Sequence, residues 1–187
     1  VTEVMSRLLP RYRGVFLQME DEIASICAIL GAAWGGAKTC TATSGPGFSL
    51  MMENIGHAVA TETPCVIANI QRVGPGTGQA TRVGSGDIMQ AKWGSHGDYQ
   101  VIAFSPWSVQ EMYDLTLRVF NLSERARVPA FILADEAVGH LRESISINAK
   151  VEVWDRKKEK GGSPFGTEEE DGVPPMPAFG EGERLLI

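Results

Sequence analysis

The chain of 187 residues predicts an α/β domain, a parallel sheet flanked by helices, with an extended C-terminal linker. Short β-rich runs alternate with helical patterns from residue 1 to about 140. One of these runs, Val66-Ile67-Ala68-Asn69-Ile70, is mostly apolar, as expected of a parallel strand covered on both faces. Beyond residue 145 the chain turns charged and then rich in Gly and Pro. Composition therefore separates a folded body, 1–145, from a tail, 146–187, which reads as a linker towards a further domain absent from this chain.

The strands are expected at Val15–Met19, Lys38–Thr43, Cys65–Gln71, Gln100–Phe104 and Ala130–Ala134. Helices are expected at Glu20–Trp34, Phe48–Ala60 and Ser108–Arg125. Strands alternating with helices of this length build a parallel sheet with right-handed crossovers. The first of these helices repeats apolar residues at Ile23, Ile26, Cys27, Leu30 and Ala33, a stripe that should face the core. Ala24, Ala28, Gly31, Ala32 and Gly35 lie between them, small enough to let another backbone approach. Residues 72–98 hold seven glycines and no long apolar run, and read as a loop too long for an ordinary connection, of a size that is usually functional or disordered.

The formal net charge of -6 argues against nucleic acid, which needs clustered Lys and Arg. Residues 151–187 carry nine acidic and five basic side chains, so most of that charge sits in the tail. No apolar run approaches the roughly 20 residues of a membrane span, and no signal peptide is legible. Val1 in place of an initiating Met reads as a missing N-terminus. Cys27, Cys40 and Cys65 lie in apolar segments without metal spacing, and are expected to be buried thiols in a reducing cytoplasm. Three cysteines also fall short of the four that an iron–sulfur cluster usually needs.

Two local features carry chemistry. Thr43-Ser44-Gly45-Pro46-Gly47-Phe48 places a Gly-Pro-Gly turn between a strand and a helix. It is either a tight connection or a turn whose free helix N–H groups face a ligand. It lacks the Lys of a P-loop and the glycine spacing of a dinucleotide site. Glu20-Asp21-Glu22 opens the first long helix. Carboxylates there favour the helix dipole and can simply be solvated. Glu22 alternatively lies against the small-residue helix, partly buried, where a carboxyl group can trade a proton with a ring nitrogen.

Taken together, Glu22, Gly31 nine residues on and Thr43–Gly47 resemble the pyrimidine-binding domain of thiamine-diphosphate enzymes. Residues 18–25 (QMEDEIAS) and 42–51 (ATSGPGFSLM) are similar to the α subunit of 2-oxoacid:ferredoxin oxidoreductases. So are Gln71-Arg72, residues 86–91 (GDIMQA) and 93–98 (WGSHGD), and the tail segment 171–177 (DGVPPMP). The resemblance implies the pyrimidine-domain fold for residues 1–145. It implies that Glu22 contacts the aminopyrimidine and drives its imino form, with Ser44, Gly45, Pro46 and Gly47 also on the cofactor. It implies that Arg72, at the end of a strand, grips the substrate carboxylate, with Thr77 lining the same site. Read without it, Arg72 is equally a surface arginine in a polar loop. The implied reaction is oxidative decarboxylation of a 2-oxoacid to an acyl-CoA with reduction of ferredoxin.

Some positions depart from the family pattern. The chain begins after the segment where the family carries Tyr-Pro-Ile-Thr-Pro, and Gly76 stands where a serine is expected. No Gly-Asp-Gly followed by Asn is present to carry Mg²⁺ and the diphosphate. Those groups and the iron–sulfur cluster are expected on a partner β subunit, so the site is shared between chains. Residues 74–78 and 94–98 lean towards 2-oxoglutarate or broad specificity. His96 reads as a proton carrier or as a structural histidine held by nearby backbone; His57 and His140 read as structural. Two rival readings are an anion- or nucleotide-binding α/β module and a non-catalytic scaffold of the same fold.

Overall fold

The computed structural model describes residues 2–161, 163–166 and 170–182. Its sheet is built on β2 (Cys65–Val73) and β5 (Pro129–Asp135), which pair in parallel from Cys65↔Pro129 to Gln71↔Asp135. β1 (Cys40–Thr43) flanks β2, and β4 (Ile102–Phe104) flanks β5, both in parallel, giving the order β1-β2-β5-β4. The first six residues of β5 are all buried, which is why its sequence shows no polar alternation. A further strand, β3 (Gln79–Val83), pairs antiparallel with the end of β2.

Helices cover both faces. On one lie α2 (Glu22–Trp34), α3 (Pro46–Leu50), α4 (Met52–Ala60) and α5 (Ile88–Trp93). Their core joins Ile26, Leu30, Phe48, Met51, Ile55 and Ala91 to Cys65, Ile67, Phe131 and Leu133 of the sheet. On the other lies α6 (Val109–Ala126), packing Val119, Met112 and Phe120 on Val66, Ala130, Ile132 and Ala134. Ser108 caps α6 by accepting a hydrogen bond from the Glu111 N–H at 3.1 Å. Two short helices complete the body, α1 (Thr2–Leu8) and α7 (Glu136–His140).

Several expectations change. Val15–Met19 forms no strand: it has no ladder partner among the described residues, and Val15 and Leu17 are 77 % and 66 % exposed. A β-rich run makes a strand only where a neighbour takes up its backbone hydrogen bonds. The segment 48–60 is two helices broken at Met51, and α2 begins at Glu22 because Asp21 caps it. Residues 72–98 are not a structureless loop, since β3 and α5 lie within them. The buried stripe of α2 is Ile26, Leu30, Ala33 and Trp34, while Ile23 is 45 % exposed. No close approach occurs at Gly31, where an added Cβ would meet nothing within 4 Å. Cys65 is buried, but Cys27, on the outer flank of α2, and Cys40, on edge strand β1, are exposed.

The described tail has no helix or strand, yet it lies against the body. Arg156 is buried and bonded to Glu124 of α6 at 2.9 Å and to the Ala33 carbonyl at 3.0 Å. Arg127 donates to the carbonyls of Pro164 and Pro174 at 2.8 and 3.0 Å. Phe179 stacks on Trp34 with ring centroids 5.6 Å apart. The extended course expected of a linker is present, but as a docked strap.

Candidate active site

Parallel sheets present ligand sites at the carboxyl ends of their strands. Here β1 ends at Thr43 and β2 runs through Arg72, so both expected features meet at that edge. After Thr43 the chain must turn sharply into α3. Gly45 supplies the turn with φ 61, a conformation costly for any residue with a Cβ, and Pro46 opens the helix where no N–H is needed.

The three acids at the head of α2 separate into different roles. Glu20 is exposed. Asp21 caps the helix, its Oδ1 accepting from the Ala24 N–H at 2.7 Å. Glu22 is half-buried, and its side chain lies on Gly47. A Cβ built on Gly47 would stand 2.7 Å from Glu22 Oε1, 2.7 Å from Glu22 Cγ and 2.4 Å from Thr43 Oγ1. Gly47 is therefore glycine for space. Among the described residues none donates a hydrogen bond to the Glu22 carboxylate.

Arg72 occupies the other side of the same turn. A Cβ on Gly45 would stand 2.5 Å from Arg72 Nε, a buried nitrogen with no hydrogen-bond partner among the described residues. The Arg72 NH2 group donates to the Thr77 carbonyl at 2.8 Å. Thr77 thus meets Arg72 through its backbone, while its own side chain is exposed. Behind Arg72, Gly84 lets the returning chain approach: a Cβ there would stand 2.8 Å from the Arg72 carbonyl carbon. Glu22, Gly45, Pro46, Gly47, Arg72 and Thr77 are therefore brought together, and Ser44 sits within the same turn.

Residue-by-residue reading missed a polar group beneath this turn. Asn69 and Gln71, both fully buried, share the sheet face that carries Cys65 and Ile67. Asn69 Nδ2 donates to Asp87 at 2.8 Å, and Gln71 Oε1 accepts the Asp87 N–H at 3.0 Å. Together they pin the start of α5 beside β2. The available signal was two amides at alternate positions in an otherwise apolar strand. The histidines take no part: His57, His96 and His140 are exposed, and His96 has no backbone partner among the described residues. His140 Nδ1 lies 2.9 Å from the Glu136 carbonyl. Among the described residues no three His, Cys, Asp or Glu side chains cluster as a metal requires, and no helix is long and apolar enough to cross a membrane.

Among the described residues the site has a carboxylate with no internal donor, a buried unpartnered Arg72 Nε, a buried unpartnered Thr43 hydroxyl and a glycine floor between them. That set fits the aminopyrimidine end of thiamine diphosphate, which needs a carboxylate at a ring nitrogen and a close backbone. Fold and site thus define a pyrimidine-side domain of the thiamine-diphosphate type. The family model described as "Pyruvate flavodoxin/ferredoxin oxidoreductase, thiamine diP-bdg" matches residues 1–185, and the chain belongs to that family.

Its relatives narrow the comparison. The chain is 55 % identical to the 2-oxoglutarate synthase subunit KorA of Methanocaldococcus jannaschii, over all of this chain and 51 % of that one. It is 41 % identical to the ketoisovalerate oxidoreductase subunit VorB of Methanothermobacter marburgensis, over 75 % of this chain and 40 % of that one. It resembles the solved 2-oxoglutarate:ferredoxin oxidoreductase of Magnetococcus marinus with a TM-score of 0.84 and 31 % identity, across 99 % of this chain and 33 % of that one. That structure holds 2-oxoglutarate, coenzyme A and succinyl-CoA. The chain spans about half the length of the curated relatives it matches in full.

Proposed function

We propose that this chain supplies the pyrimidine-side half of a thiamine-diphosphate site in the α subunit of a 2-oxoacid:ferredoxin oxidoreductase, with 2-oxoglutarate the favoured substrate. The observation that carries the reading is the pairing of Glu22 on Gly47 with Arg72 on Gly45, across one turn at the strand ends. Bound there, thiamine diphosphate supplies the carbon nucleophile and the electron sink that decarboxylation of a 2-oxoacid demands.

This chain's residues do the rest of the work at that end. Glu22 holds and returns a proton at the ring nitrogen, a transfer that general acid–base catalysis makes worth about 10²–10⁴-fold. Arg72 offers guanidinium N–H groups to the substrate carboxylate, and the Thr77 carbonyl fixes one end of that guanidinium. Asn69 and Gln71 hold Asp87, and with it the start of α5, beside β2. Mg²⁺, the diphosphate and the iron–sulfur cluster belong to a partner β subunit, with ferredoxin and coenzyme A as the other reactants. The tail leads towards a further domain of the subunit. On the Gly47 side of the turn the Glu22 carboxylate stands where a phosphate would have to lie, which disfavours a phosphate cradle there. A scaffold that had lost the chemistry would not need to keep Glu22 and Arg72 in this arrangement.

The test is reconstitution of the full-length subunit with its β partner, thiamine diphosphate, Mg²⁺ and coenzyme A. Dye reduction dependent on 2-oxoglutarate, and absent when either subunit is left out, is the expected result. Reduction by the β subunit alone would overturn the reading. So would silence of a correctly assembled complex towards 2-oxoglutarate, pyruvate and branched-chain 2-oxoacids alike.

A further inference from the structure

The Thr43 hydroxyl is buried and has no hydrogen-bond partner among the described residues, an arrangement that calls for an explanation. Its oxygen and Glu22 Oε1 lie 2.4 and 2.7 Å from the single point a Cβ would occupy on Gly47, so the two are within about 5 Å of each other. On one side is a hydroxyl proton without an acceptor; on the other, a carboxylate without a donor from any described residue. A rotation of either side chain across the bare face of Gly47 closes the gap to a charge-assisted O–H···O⁻ bond.

We propose that Thr43 is a positioning residue for Glu22, donating its hydroxyl to the carboxylate and holding it at the height of the cofactor ring. The inference rests on the thiamine reading of the site. A competing acceptor exists: Asn69, the register partner of Thr43 on the same sheet face, has an unpartnered Oδ1. An ionised carboxylate outbids a neutral amide oxygen for a single hydroxyl proton, because bonds to charged acceptors are about twice as strong. Threonine also suits the task through its stiffness. Its branched Cβ leaves few rotamers, so a hydroxyl at the end of a strand points reproducibly.

The experiment uses the full-length subunit assembled with its partner, in four forms: Thr43→Val, Thr43→Ser, Glu22→Gln and the Glu22→Gln/Thr43→Val double variant. Two quantities are read without substrate: hydrogen–deuterium exchange at C2 of bound thiamine diphosphate, and cofactor affinity by calorimetry. Thr43→Val is expected to slow exchange by about 10- to 100-fold with affinity held, and Thr43→Ser to restore it. The double variant is expected to be no slower than Glu22→Gln alone, because Thr43 acts through Glu22. Losses that multiply in the double variant would overturn the proposal, whether the hydroxyl serves Asn69 or only packing. Exchange unchanged in Thr43→Val, or unrestored by Thr43→Ser, would overturn it too. If Glu22→Gln itself exchanges normally, the thiamine reading fails rather than the role of Thr43 alone.

Discussion

Replacing Gly47 by Ala tests the placement of Glu22 by exchanging one hydrogen for a methyl group. The backbone accepts the change, since Gly47 is not among the residues of positive φ. At the second position of α3 an alanine is also the better helix former, by roughly 0.5–1 kcal/mol. Against this, the new methyl would lie 2.4 Å from Thr43 Oγ1 and 2.7 Å from Glu22 Oε1, where 3.4–4 Å is ordinary contact. Relief therefore needs a retreat of about 0.7–1 Å, and both clashing groups are side chains rather than backbone. Overpacking of this kind costs about 1–3 kcal/mol, so the net loss of stability should stay near 1–2 kcal/mol. Function should suffer far more, because a catalytic group displaced by about 1 Å loses roughly 10²-fold in rate. The assay is 2-oxoacid-dependent dye reduction by the reconstituted enzyme, with thermal unfolding of the same preparation. A Gly47→Ala enzyme with wild-type kcat and a normal melting profile would refute the contact between Glu22 and this turn.

Other predictions concern the frame. Glu124→Ala leaves the Arg156 guanidinium buried and uncompensated, so the protein should lose about 3–5 kcal/mol in denaturant unfolding. The tail should then be cut faster by trypsin at Lys157 and Lys158. Gln71→Leu removes the acceptor of the Asp87 N–H and should cost about 1–3 kcal/mol, with faster amide exchange confined first to residues 87–91. Burial pushes the Cys65 thiol up to about 12, so at pH 8 it is almost wholly protonated. Iodoacetamide should label exposed Cys27 in the native protein and reach Cys65 only on unfolding. Peptide mass spectrometry reads both outcomes, and native labelling of Cys65 would contradict the packing.

Much of the fold was legible because burial on both faces leaves a plain mark. The apolar run 66–70 and the run 130–134 became the two central strands, and Ser108 announced α6. The false strand at Val15–Met19 shows the limit of that signal: a β-rich run records propensity, whereas a strand needs a neighbour. β3 and α5 were hidden by glycines, whose freedom reads as loop even where pairing with β2 and the Asn69–Asp87 contact impose order. The described part of the tail showed its lack of helix and strand in composition, but Arg127 and Arg156, which dock it, look in sequence like any surface arginines. Within the site, Glu22, the Gly-Pro-Gly turn and Arg72 were marked by spacing and resemblance, and the structure brings them together. The buried amides of Asn69 and Gln71 showed only as two polar positions in an apolar run, and their partner Asp87 lies in the glycine-rich stretch. The place of the Thr43 hydroxyl lies in register across strands, which no local pattern reports.

The central claim is that Glu22 trades a proton with a cofactor ring. The most direct measurement is C2 hydrogen–deuterium exchange of thiamine diphosphate bound to the assembled Glu22→Gln enzyme, read by NMR after acid quench. The account predicts exchange slowed by about 10²-fold or more, with the cofactor still bound. Exchange at the wild-type rate from a fully loaded variant would contradict it.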